Sequence, residues 1–335
     1  MSASRNDDIY QKKPQFLTLP PANGGTTVIQ IPYHSSPPAG PTHKALAGVL
    51  FLNGFRSSMN GNKACTLEQY CRQQEQHSSK DSYYSIGFTR LDYRGHTEEE
   101  LLTNSNADYF ASLGMTDWIQ DARAMLHHCV AEQSGPQVLV GSSMGAWIAL
   151  HLALLEPDKV AGILGIGAAP DFTRDIWEGL TEAQLQELRD RGRLLMPSQY
   201  STTPYPISQH LLQDGSKWLL LSHSQEDQNT EGATATNNGS CNHTAHNDDK
   251  SGKATSAQST SSVINVSCPV RLVHGQQDVD VSWKKSLLLA EAIASKDVQV
   301  TLIKSGDHRL STPEDLELIC RILGDLITTI TATNE

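Results

Sequence analysis

Residues 138–150 read VLVGSSMGAWIAL: an apolar, β-branched run, a break of glycine, two serines, methionine and glycine, then an apolar run with helical spacing. A short strand feeding through a tight turn into a helix is the repeating unit of a parallel α/β sheet. Within GSSMG only one register sets a glycine two places before and two places after a serine, and it uses Gly141, Ser143 and Gly145. Between a strand and a helix, G-x-S-x-G is a nucleophile elbow, in which the serine sits on a strained turn and the glycines let strand and helix pass close by. Ser143 is therefore the candidate nucleophile, and Ser142 is its neighbour.

Working outward, strand-like runs alternate with helical patterns along the chain. Thr27–Tyr33 and Phe16–Leu19 read as an antiparallel edge pair. Ala47–Leu52, Ile86–Leu91, Gln137–Val140, Val160–Ile166, Pro269–Val273 and Val298–Ile303 read as buried parallel strands, apolar almost throughout because helices would cover both faces. Helices are expected at 63–77, 116–132, 144–155, 283–294 and 313–329; the last begins Ser-Thr-Pro-Glu-Asp, with a capping hydroxyl, a first-turn proline and acids at the positive end of the dipole. The fold class expected is α/β: a mostly parallel twisted sheet covered by helices on both faces.

Two segments break the alternation. Residues 171–218 form a helical excursion (182–193 as helix, then PSQYSTTPYPI) expected to cap the C-terminal edge of the sheet. Residues 223–261 hold almost no large apolar side chain and are expected to be a disordered polar insertion. Its His243, His246, Asp248 and Asp249 read as a solvated tract rather than a metal site. The organisation expected is an N-terminal segment with edge strands (1–44) and one α/β domain (45–335) carrying cap and insertion.

With 26 basic against 37 acidic residues and a formal net charge of -11, the chain has no basic block suited to phosphates, which excludes nucleic acid as an expected partner. Six cysteines lack any metal or disulfide spacing and read as free thiols. No apolar run reaches the roughly 18 residues of a membrane span, and the first residues lack a signal-peptide core. Asp7 and Asp8 with a lone Arg5 also differ from a mitochondrial leader, so the address expected is cytoplasmic, with mitochondrial as the alternative.

A hydroxyl attacks only when a base takes its proton, and a carboxylate must orient that base. In a sheet of this kind the order is Ser, acid, His. After the strand PVRLV comes HGQQDVDVSW, which offers Asp278 and Asp280; Asp278 follows the strand sooner and is preferred, while His274 ends the strand and reads as structural. After VQVTLI comes KSGDHRL, which offers His308 as the base. The oxyanion would be held by the backbone N–H of Met144, the residue after the nucleophile, and by that of Phe55 in the loop NGFRSSMNGNKA. Arg56 beside it reads as a surface arginine. Asp92–His96 reads as a turn supporting the elbow, with His96 a weaker alternative base.

FLNGFRSSMNGNKA (51–64), LDYRGH (91–96), VLVGSSMGAWIAL, HGQQDVDVSW (274–283) and SGDHRL (305–310) together resemble the α/β-hydrolase superfamily. More narrowly, G-F-x-S-x-M-x-G-x-K-A at 54–64, the G-S-S-M-G elbow and M-P-S-x-Y at 196–200 resemble the palmitoyl-protein thioesterase and acyl-glucuronide esterase group with its small bacterial homologues. The resemblance spans roughly residues 45–330 without the insertion, and it implies Ser143 as nucleophile, Asp278 as acid and His308 as base. Three departures stand out: the N-terminus has no transit-peptide character, Ala146 stands where the elbow often has another glycine, and the insertion precedes the acid's strand.

The resemblance implies a serine hydrolase that cleaves acyl thioesters or carboxylic esters through an acyl-enzyme, without cofactor or metal. Its substrate would be a small acyl ester or thioester, an acyl glucuronide, or an S-acylated protein. An apolar wall for the acyl group is expected from 168–177 and Leu194–Met196. The same triad also serves peptidases and C–C hydrolases, and a noncatalytic hydrolase-like binding protein is the reading from another class.

Overall fold

The computed structural model describes residues 13–20, 28–38, 46–74, 85–97, 99–100, 107–197, 204–221 and 263–332. The polar segment 223–261 and residues 198–200 of the M-P-S-x-Y motif lie outside them. In chain order the elements are β1 (Gln15–Leu19), β2 (Ile29–Ser36), β3 (Gly48–Leu52), α1 (Asn62–Gln74), β4 (Gly87–Leu91), α2 (Ala107–Ala111), α3 (Met115–Gln133), β5 (Gln137–Ser142) and α4 (Met144–Leu155). They continue with β6 (Val160–Ile166), α5 (Phe172–Glu178), α6 (Glu182–Arg191), β7 (Arg193–Met196), β8 (Tyr205–Ser208), α7 (Gln209–Gly215), β9 (Val270–Gly275), α8 (Lys284–Ala292), β10 (Val298–Ile303) and α9 (Pro313–Ala332).

Eight strands form one sheet in the order β1-β2-β4-β3-β5-β6-β9-β10. The pairs β1/β2 and β2/β4 are antiparallel and the rest are parallel. Alternate side chains of each strand feed two cores, which is why the inner strands are apolar almost without interruption. Leu50, Leu52 and Leu139 pack on one face with Trp118, Met125 and Trp147 of α3 and α4, whereas Val49, Phe51, Val138 and Val140 pack on the other with Leu67, Ile319 and Leu323 of α1 and α9. Both faces are covered by helices, as α/β folds require.

β10 departs from the buried strand expected for 298–303. It pairs only with β9, at the sheet's edge, and five of its six residues are half-buried while Gln299 is exposed. An edge strand with a single neighbour has less of its surface covered.

The excursion after β6 also differs from a purely helical cap. Helix α6 ends at Arg191 with Gly192 in the left-handed conformation, a common helix stop. The helix expected over 182–193 thus stops at Arg191, and Arg193–Met196 forms a hairpin with Tyr205–Ser208 through the pairing Leu194↔Ile207. The excursion is rooted at both ends. Buried Asp171 accepts from the amides of Leu220 and Leu221 at 2.8 and 2.9 Å. The Trp218 carbonyl accepts from Trp147 Nε1 (3.0 Å) and His151 Nε2 (2.7 Å) on α4.

The five described cysteines are free thiols, in line with their spacing. Among the described residues no helix is long and apolar enough to cross a membrane.

Candidate active site

Ser143 lies between β5 and α4 with φ 54 and ψ -117, a strained conformation for a residue with a side chain. The turn is held from outside: the Ser143 amide donates to the Ile166 carbonyl at 2.8 Å, and the Ser143 carbonyl accepts from Ala146 (3.0 Å) and Ala169 (3.3 Å). Both flanking glycines are required by space. A Cβ on Gly141 would lie 2.4 Å from the Ala146 amide nitrogen, and one on Gly145 would lie 2.0 Å from the Leu52 carbonyl oxygen. Strand, helix and the end of β3 therefore meet at distances that no side chain allows.

His308, on the loop after β10, reaches this serine. Its Nδ1 stands 2.7 Å from Asp278 Oδ2 and its Nε2 stands 3.1 Å from Ser143 Oγ. A carboxylate only accepts, so in the neutral ring Nδ1 carries the proton and Nε2 accepts from the serine hydroxyl. That is the tautomer a general base needs. The two loops are laced together by the Gln277 amide on the Gly306 carbonyl (2.9 Å) and the Gln276 amide on the Ile303 carbonyl (2.8 Å). Lys63 Nζ donates to the Arg309 carbonyl beside the histidine, and burial, with the nearby Arg309 charge, pushes Lys63 down to about 8.

Asp278 is buried, and each oxygen has two donors. Oδ1 accepts from the amides of Asp280 (3.0 Å) and Val281 (2.8 Å), and Oδ2 accepts from His308 and from His274 Nε2 (3.1 Å). Burial alone would push this carboxyl up, but the bonds from His274 and His308, the His308 charge and the Val281 amide hold it well below the usual carboxylate range. Asp280 is exposed and contributes its backbone instead. Asp278, Asp280 and His308 have ligand atoms within 4.8 Å of one another, yet two of the three are engaged in the hydrogen-bond chain to Ser143.

The loop after β3 passes against the elbow: a Cβ on Gly54 would lie 3.3 Å from both the Ser142 carbonyl oxygen and the Ser143 Cβ. Its shape is set by the motif around 90–96. Asp92 Oδ1 accepts from the Met59 amide at 2.5 Å, Asn53 Nδ2 donates to the Leu91 carbonyl at 2.6 Å, and the Tyr93 hydroxyl reaches the Asn53 carbonyl at 3.4 Å. Arg90, almost fully buried, donates to the Met59 carbonyl (2.9 Å), Asn60 Oδ1 (2.6 Å) and Glu68 (2.7 Å). Asp92 and Tyr93 of the 92–96 turn thus hold the Phe55 loop, which in turn passes against the elbow.

His96, the alternative base, makes no hydrogen bond to Ser143 among the described residues. It is fully buried, its Nδ1 lies 3.3 Å from the Arg94 carbonyl, its Nε2 has no partner, and burial pushes it down to about 4. The Ser143 hydroxyl meets His308 instead.

Around Phe55 the rings of His96, Phe110, Trp118, Phe172 and Tyr205 stand with centroids 5.6–6.2 Å away. Phe172 belongs to the apolar wall expected from 168–177, but Phe110, Trp118 and Tyr205 come from elements whose sequence carries no such signal. Leu195 is 64% exposed, whereas Leu194 is buried in the core. Arg56, read as a surface arginine, is half-buried with its guanidinium 5.2 Å from the Phe110 ring centre, and its φ of 53 marks a second strained turn.

Residues 84–315 match the family described as serine aminopeptidase, S33. The chain is 31% identical over 283 residues to the mitochondrial palmitoyl-protein thioesterase ABHD10 of Rattus norvegicus, spanning 84% of this chain and 75% of the relative. The Homo sapiens counterpart is 28% identical over 281 residues, spanning 84% and 72%. Among solved structures, a hydrolase from Agrobacterium vitis S4 superimposes with a TM-score of 0.70 at 26% identity, covering 94% of this chain and 98% of its own. Mouse alpha/beta hydrolase domain-containing protein 10 superimposes with a TM-score of 0.64, also at 26% identity, covering 94% and 99%.

Proposed function

Because this chain belongs to the serine aminopeptidase S33 family of α/β hydrolases, we propose that it is a serine hydrolase of acyl thioesters and carboxylic esters acting through Ser143, His308 and Asp278. One observation carries the reading. Ser143 Oγ, the His308 ring and the Asp278 carboxylate form an unbroken hydrogen-bond chain of 3.1 and 2.7 Å, with the serine held on a strained turn.

In the first half of the reaction His308 Nε2 takes the Ser143 proton as Oγ attacks the carbonyl carbon. The oxyanion accepts from the N–H groups of Met144 and Phe55. Met144 is the first residue of α4, so no carbonyl four residues back claims its N–H, and the helix dipole favours negative charge there. Collapse of the intermediate expels the thiolate or alkoxide, which takes the proton from His308, and leaves an acyl-Ser143 ester. Water then gives a proton to His308 and attacks that ester; Ser143 leaves with the proton, and the free acid departs. Asp278 stays ionised throughout and stabilises the imidazolium.

The thioesterase names of the relatives support an acyl thioester as substrate. The rings around Phe55 suit an apolar acyl group, since aromatic faces offer large buried area at little conformational cost. The family's aminopeptidase description favours peptide hydrolysis as the second reading. The mitochondrial names of the relatives support the mitochondrial address over the cytoplasmic one.

The test is labelling with a fluorophosphonate followed by turnover of a palmitoyl thioester, a p-nitrophenyl acyl ester, an acyl glucuronide and an aminoacyl amide. Labelling at Ser143 with turnover of the thioester or ester is expected. A folded protein that does not label at Ser143 overturns the enzymatic reading, and turnover of the amide alone transfers it to the peptidases.

A further inference from the structure

Behind Asp278 stands a histidine that the reaction scheme leaves unused. His274, on β9, is completely buried, with Nε2 3.1 Å from Asp278 Oδ2 and 3.1 Å from the Val281 carbonyl, and Nδ1 2.7 Å from Ser286 Oγ on α8. Both neighbours of Nε2 only accept, so Nε2 carries the ring proton. Nδ1 then accepts from the Ser286 hydroxyl, which can donate. The partners thus determine the tautomer, and Ser286, itself fully buried, locks the ring in place.

As a result Oδ2 of Asp278 receives two imidazole N–H groups at once, His308 at 2.7 Å and His274 at 3.1 Å. The chain Ser286–His274–Asp278–His308–Ser143 is continuous. The titratable groups facing it are His308 on the loop after β10 and Asp280 on the loop of Asp278; α8 contributes the neutral Ser286 hydroxyl.

We propose that His274, locked by Ser286, is a positioning residue for the reaction: its N–H fixes the Asp278 carboxylate and shares its charge, so it tunes how firmly Asp278 holds the His308 imidazolium. This rests on the reading of Ser143, His308 and Asp278 as the triad. A histidine that merely filled space would be satisfied by any neutral partner. This one shares its only donor between the Val281 carbonyl and the oxygen that binds His308. A carboxylate relieved of one donor becomes more basic and also loses a restraint on its orientation. It then holds the imidazolium proton harder and presents it less well.

The test uses the full-length protein with His274→Ala, His274→Gln and Ser286→Ala. kcat and KM for a short p-nitrophenyl ester are followed between about pH 5 and pH 9, with fluorophosphonate labelling and thermal midpoints alongside. His274→Ala should lower kcat by about tenfold with KM little changed, and move the acid limb of kcat/KM to higher pH. His274→Gln, whose amide N–H can take the place of Nε2–H, should recover most of both. Ser286→Ala, a smaller change that also serves if His274→Ala does not fold, should move the limb in the same direction by less. Folded variants whose acid limb stays in place, or a glutamine variant as impaired as the alanine one, overturn the inference while an active wild type leaves the triad intact. A wild type that neither labels nor turns over ester overturns the triad reading itself.

Discussion

The backbone N–H of Asp280 donates to Oδ1 of Asp278 at 3.0 Å, so the two acids after β9 stand as supporter and supported. Asp278→Asn should lower kcat by about 10⁴-fold, because an amide in that place can present its own N–H to His308 and favours the wrong tautomer. Asp280→Ala keeps the donating amide and should hold kcat within a factor of about three. Steady-state rates of the two variants decide, and similar losses would show that the acid has been misassigned.

Ser143→Ala should abolish fluorophosphonate labelling and reduce turnover by about 10⁶-fold, leaving what oxyanion stabilisation and binding supply. Ser142→Ala should still label. Peptide mapping of the modified residue reads the outcome directly, and a label on Ser142 would move the nucleophile by one residue.

Gly145→Ala would set a Cβ 2.0 Å from the Leu52 carbonyl oxygen and 2.6 Å from its carbon, backbone atoms that cannot rotate away. The contact between β3 and α4 has to open, at a cost of about 3 kcal/mol or more. Because the Phe55 loop begins at the end of β3, labelling should slow as well. Urea unfolding together with labelling rates provides the check, and a variant with unchanged stability would contradict this packing.

Arg90 and Glu68 separate stability from activity. Arg90→Met leaves Glu68 buried beside a lost partner and should cost about 3–5 kcal/mol. Adding Glu68→Leu removes this buried charge, left with the Ser36 hydroxyl at 2.6 Å and Arg72 at 3.7 Å, and should recover much of that stability. Activity should stay low in the double variant, because Arg90 also holds the Met59 carbonyl and Asn60 of the Phe55 loop. Recovery of both together would mean that this loop needs no such hold.

His96 and His151 are both pushed down to about 4, in each case chiefly by burial. The unfolded chain takes up their protons near pH 6.5, whereas the folded chain refuses them until about pH 4. Stability contributed by these two groups is therefore complete above about pH 6.5 and falls as pH drops, by up to about 1.4 kcal/mol per pH unit for each. His96→Phe, which keeps a ring among Phe55, Phe110 and Trp118, should flatten the dependence by about one proton. Urea midpoints at a series of pH values measure the slope.

Local pattern alone marked the eight strands of the main sheet and the elbow, but not the hairpin of β7 and β8. Apolar runs that alternate with amphipathic ones mark a sheet covered on both faces, and glycine spacing singles out Ser143 because only glycines fit where strand and helix cross. Tertiary structure decided what depends on how distant loops come together. Ser143 and His308 lie 165 positions apart, and whether Asp278 or Asp280 meets His308 depends on the backbone path of one short loop. The pairing of His274 with Asp278, the burial that removes His96 from contention, and the rings that gather around Phe55 from α2, α3, α5 and β8 leave no periodic trace in the sequence. Periodicity records which side of an element is buried; the neighbours it is buried against are set by the packing of the whole chain.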